Sequence, residues 1–142
     1  VLEEGDPDWK EGLSPNFVLI YGRPGRACLE GYSIRAIGEI DDMIATLPRF
    51  SREREIIERF MNTRSVYAQV DENGRMVLSA RLREMIGLGD EAYFAGMGDK
   101  FQIWTPEGFA EDEARMAAKI AGLGAEADPL ALLDRLVRGD GA

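Results

Sequence analysis

"VDENGRMVLSARLREMIGLGDEAYFAGMGDKFQIWTPEGF", residues 70–109, decides how the rest of the chain is read. Near its start stands Asn73-Gly74, between two runs rich in strand formers, 65–70 and 75–79. Asn-Gly is a strong two-residue hairpin signal because both residues tolerate positive φ. The spacing of Leu82, Met85 and Ile86 then predicts a short helix, with Gly87 where a left-handed C-terminal cap is wanted. Residues 91–104 read as two strands around Gly98-Asp99, and Thr105-Pro106 opens a helix with proline at its first position. Arg75, Arg81 and Arg83 fall in this stretch, with no acid between the first and the last.

That local basic edge stands out against the whole. The chain has 142 residues, with 17 Lys+Arg against 26 Asp+Glu and a formal net charge of −9. Its length fits one domain or two small ones. Net negative charge opposes approach to nucleic acid, so any contact with phosphate must come from a local patch. There is no histidine, which removes the usual general base and the commonest metal ligand. No nucleophile constellation and no EF-hand spacing is present, so no catalytic residue, metal site or cofactor is expected. A single cysteine, Cys28, reads as a small buried hydrophobe in a cytoplasmic protein. No run of 18 apolar residues occurs, so no membrane helix is expected.

Outside the opening stretch, "FVLIYG" (17–22) reads as a buried strand, "RPGR" (23–26) as a turn and "ACLE" (27–30) as a returning strand. Ile37, Ile40 and Ile44 mark a helix that Pro48 ends, and Ser51 caps a second one with Ile56, Ile57, Phe60 and Met61 on its apolar face. A last short helix is expected over 128–137. Strand, turn, strand and helix thus occur twice, about 77 residues apart. In that register Phe17 falls on Phe94 and Arg23 on Lys100. The first copy should then have its own hairpin and short helix upstream of residue 1, and strands within 16–30 should lack partners.

Residues 70–109 resemble the MraZ family of bacterial regulators. Asp71 and Arg75 fall on its Asp-x-x-x-Arg motif; Leu82, Arg83, Glu84, Gly87 and Leu88 fall on the helix that follows. Asn73 and Ser79 stand where the family often has Lys and Pro; Ser79 can cap the short helix instead. The resemblance implies an α+β fold of two tandem AbrB-like (SpoVT-AbrB) halves, of the swapped-hairpin or split-barrel kind, with appended helices and the first half incomplete. The division would be 1–64, 65–121 and a tail, 122–142. It further implies a cytoplasmic, nucleoid-associated, sequence-specific regulator, chiefly a repressor. Its partners would be double-stranded promoter DNA carrying repeats, and itself in a ring-like homo-oligomer.

A hairpin tip fits the DNA major groove. There Arg75 would read a base, Gly74 would let the backbone come close, Asn73 would stand beside it among the DNA-binding residues, and Asp71 would either cap loop amides or orient the guanidinium. Arg81 and Arg83 would hold phosphates. The competing class is a protein–protein assembly module. In it the negative surface faces partner subunits and the arginines of the basic edge form interface ion pairs. A purely structural reading stands beside both: Asp71 and Arg75 form an exposed ion pair, Arg81 pairs with Glu84, and Arg83 serves the helix dipole.

Overall fold

The computed structural model describes residues 2–11, 13–23, 27–122 and 128–139. Residues up to Pro106 form one compact unit and those from Glu107 on a second. The first unit is a five-stranded antiparallel sheet with three helices. Its strands are β1 (Asn16–Ile20), β2 (Cys28–Ser33), β3 (Ser65–Gln69), β4 (Tyr93–Met97) and β5 (Lys100–Trp104), in the order β3-β1-β2-β5-β4. Its helices are α1 (Ile34–Ala45), α2 (Arg52–Thr63) and α3 (Ala80–Ile86). The second unit holds α4 (Pro106–Ala121), entered through Pro106, and α5 (Pro129–Arg138).

Local chemistry explains most boundaries. Ser33 ends β2 and caps α1, its hydroxyl accepting from Ala36 N–H at 3.1 Å. Ser51 and Ser79 cap α2 and α3 the same way, through Arg54 and Leu82. Gly87 closes α3 at φ 68°, and Leu88 N–H reaches back to the Arg83 carbonyl at 2.8 Å. Asp128 caps α5, accepting from Leu130 N–H at 3.0 Å. The turn expected at 23–26 falls largely outside the described residues.

The doubled element order is present: β1-β2-α1 recurs as β4-β5-α4. β4 begins 77 residues after β1, from Asn16 to Tyr93. The offset does not hold for the second strands, because the connection from β1 to β2 is longer than the Gly98-Asp99 turn. The strands of 16–30 do not lack partners. β1 pairs with β2 and β3, and β2 with β1 and β5, so both are interior.

One sheet face carries the main core: Phe17, Leu19, Tyr21, Leu29 and Ile103, closed by Leu82 of α3. The Phe101 ring lies over Gly31, its partner in the β2–β5 ladder, and meets the rings of Phe17 (5.7 Å) and Phe94 (6.2 Å). A Cβ at Gly31 would stand 2.3 Å from that ring. Gly31→Ala therefore forces a packed aromatic to move, and is expected to destabilise the fold by about 1–3 kcal/mol. A urea unfolding midpoint equal to wild type would contradict this.

The expected hairpin is the main departure. Residues 75–79 return from the Asn-Gly turn but form no ladder with β3. They keep strand-like alternation, with Met76 and Leu78 packed against the core and Val77 92% exposed. One edge of β3 is already taken by β1. Met76 and Leu78, partly buried, pack against the core cluster that includes Leu82, and this apolar contact comes at the cost of ladder bonds with β3.

Candidate nucleic-acid interface

The loop after β3 is held by its first and last residues. Asp71 N–H donates to the Arg75 carbonyl at 2.7 Å, and Gly74 N–H donates to the Asp71 carbonyl at 3.0 Å. The Asp71 carboxylate accepts from the backbone N–H groups of Asn73 (2.9 Å) and Arg75 (2.8 Å). This gives the Asp-x-x-x-Arg spacing a physical reason: the acid satisfies the amides of a five-residue loop and pins its far end. Gly74 takes φ 74°, which a side chain would strain, and nothing lies within 4 Å of where its Cβ would be.

Asp71 thus caps amides and makes no ion pair with the Arg75 guanidinium. Residues 71–75 are all exposed, as are Arg81 and Arg83. Among the described residues none of the three arginines enters an ion pair, and the Arg81–Glu84 pair does not form. Arg83 sits in the last turn of α3, where a cation suits the helix dipole. The result is a loop closed by its own hydrogen bonds that presents the Arg75 guanidinium, with Arg81 and Arg83 on the adjoining helix. Asp71→Ala is expected to speed amide exchange at Asn73 and Arg75 without unfolding the sheet. Unchanged exchange at both would show that the carboxylate does not hold the loop.

A second charged cluster lies within the sheet. Glu30, in the middle of β2, is 1% exposed. Its carboxylate accepts from Arg23 Nη1 at 2.7 Å and Lys100 Nζ at 2.9 Å, and Gln102 Nε2 stands at 3.5 Å. Gln102 in turn accepts from the Trp104 indole at 3.1 Å. Burial pushes the Glu30 carboxyl up, but the bonds from Arg23 and Lys100 outweigh it and hold the group below its ordinary range. Arg23 and Lys100 are therefore not ordinary turn residues; they neutralise a carboxylate on the seam between the repeated strand pairs. The one signal in the sequence was an acid inside the apolar run "ACLEGY".

A family model described as "MraZ protein, putative antitoxin-like" matches residues 60–122, which include the loop and α3. A protein of Ruegeria sp. (strain TM1040), named transcriptional regulator MraZ, is 47% identical over 135 residues, spanning 94% of this chain and 81% of the relative. The chain belongs to the MraZ family. Relatives of the same name in Ruegeria pomeroyi and Cereibacter sphaeroides (strain ATCC 17029) are 44% and 38% identical, each over 94% of this chain and 81% and 82% of their own lengths. MraZ proteins are transcriptional regulators, not enzymes. Among the described residues no helix is long and apolar enough to cross a membrane.

Proposed function

We propose that the chain is a sequence-specific DNA-binding regulator that reads promoter repeats with its Asp71–Arg75 loop. The observation that carries this is the free Arg75 guanidinium on an exposed loop whose amides are already satisfied by Asp71. A planar fork of this kind can take guanine O6 and N7 together in the major groove. Asn73 and Gly74 form the tip, and the open space at Gly74 lets the backbone approach the duplex. Arg81 and Arg83 grip phosphates and fix orientation without reading sequence.

The architecture favoured by this reading is two AbrB-like halves, 1–64 and 65–121, interleaved in one sheet, with 122–142 as a tail. The recurrence of β1-β2-α1 as β4-β5-α4 supports it. One loop binds weakly. A ring-like homo-oligomer displaying many loops to spaced repeats gains through effective concentration. The regulator acts at the nucleoid, chiefly as a repressor of the division and cell-wall gene cluster that includes its own operon.

The test is fluorescence anisotropy with a duplex from the upstream region of its own operon and a scrambled control, at two salt concentrations. The expected result is preference for the native duplex and affinity that falls steeply with salt. Each phosphate neutralised should add about 0.9 to the log–log slope. Equal, salt-insensitive binding to both duplexes would overturn the reading.

A further inference from the structure

A second basic feature lies away from the loop. Residues 49–64 hold five arginines against three glutamates, a net +2 in a chain of −9. Not all of these arginines are available. Arg54 is occupied, donating to the Leu47 carbonyl at 2.9 Å and pairing with Glu58. Along the other face of α2 runs a cleft of about 460 Å³, lined by Arg52, Ile56, Arg59, Phe60, Thr63 and Arg64 together with Glu55. Ile56 is more than half exposed. Arg64 lies 5.8 Å from the centroid of the Phe60 ring. Arg59 meets Glu55 only loosely, at 3.6 Å and in the open, a contact of little value. Arg52 makes no ion pair among the described residues.

An apolar floor ringed by cations calls for an acidic amphipathic helix rather than for phosphate alone, which has no use for Ile56 and Phe60. The chain itself supplies such a helix. On α4, Glu107, Glu111, Ala114 and Ala118 follow one another at i, i+4, i+7 and i+11, so they share a face. All four are exposed. Two carboxylates at one end answer the arginines, and two alanines at the other allow close approach to Ile56 and Phe60. We propose that the arginine-lined cleft of α2 seats this acidic face of α4 from a second copy of the chain. The proposal rests on the self-assembly part of the reading above and is independent of its DNA contacts.

Sedimentation velocity over a concentration series, at low and high salt, tests it on the intact chain. Wild type should associate, and salt should weaken the association. Arg52→Glu with Arg59→Glu places like charges opposite one another and should weaken association about 100-fold. Glu107→Arg with Glu111→Arg should do the same, and the four changes together should restore it. Circular dichroism and thermal melts confirm folding, which these exposed positions should leave intact. A monomeric wild type would overturn the proposal. So would association indifferent to both reversals, or an arginine reversal that removes duplex binding while leaving association, which would make the cleft a phosphate contact. Arg75→Ala provides the separation: it should abolish duplex preference and leave association unchanged.

Discussion

Arg75→Ala should remove sequence preference while leaving the fold untouched. A bidentate contact to a guanine edge provides roughly 1–3 kcal/mol of discrimination, so the ratio of native to scrambled affinity should fall by about 10- to 100-fold. The thermal midpoint should not move, because the Arg75 side chain is exposed and makes no ion pair among the described residues. The backbone N–H that Asp71 accepts from survives the substitution. Arg81→Ala should behave differently, weakening both duplexes alike and lowering the salt slope by about 0.9. Anisotropy on the two duplexes with both variants separates reading from gripping. A uniform loss with Arg75→Ala, at unchanged ratio, would make it a phosphate contact.

Glu30→Ala should have the largest effect on stability. It removes the shared partner of two partly exposed cations and leaves a void at a fully buried site, which together cost about 3 kcal/mol. For a chain of this size that is a fall in thermal midpoint on the order of 10 °C. Replacing Glu30, Arg23 and Lys100 together by methionine should cost far less, because no charge is then left uncompensated. The same cluster sets an acid limit. The folded-state value for Glu30 lies below its ordinary 4.5. Its contribution is therefore present above the unfolded value and is lost as pH falls through the folded one. Asp6, whose carboxylate accepts from the Asn16 and Asp8 backbone amides at 2.9 and 3.1 Å, is held low in the same direction. Chemical unfolding from neutral pH down to about pH 3 should show stability declining in wild type and a shallower decline in Glu30→Ala. Equal declines would remove Glu30 from the acid response.

Much of this was legible in the residues. Ser51, Gly87, Gly98-Asp99 and Thr105-Pro106 mark element ends because each acts through its own backbone or the next few residues. The strands follow from apolar alternation for the same reason. What was not legible depended on partners distant in sequence. Nothing near 65–79 says that β3 will pair with β1, 53 residues upstream at Asn16–Gln69 and 45 at Ile20–Ser65. The hairpin expectation therefore failed where packing of Met76 and Leu78 against the core competed with a local turn. Nothing around Glu30 in the sequence shows that β5 brings Lys100, 70 residues away, within 2.9 Å. In the loop, the spacing of Asp71 and Arg75 was visible, but its choice between ion pair and amide cap was not. Two short backbone bonds settle it for the cap.

The central claim is that the Arg75 guanidinium touches a base edge. The direct measurement is a double cycle: wild type and Arg75→Ala, each titrated with native duplex and with duplexes in which one guanine at a time is 7-deazaguanine, lacking the N7 acceptor. If Arg75 reads that guanine, the base change weakens wild type by about tenfold, at the low end of the discrimination expected of such a contact, and leaves Arg75→Ala unaffected. If every deaza position weakens the two proteins equally, or neither, Arg75 reads no guanine and the account of the loop is wrong.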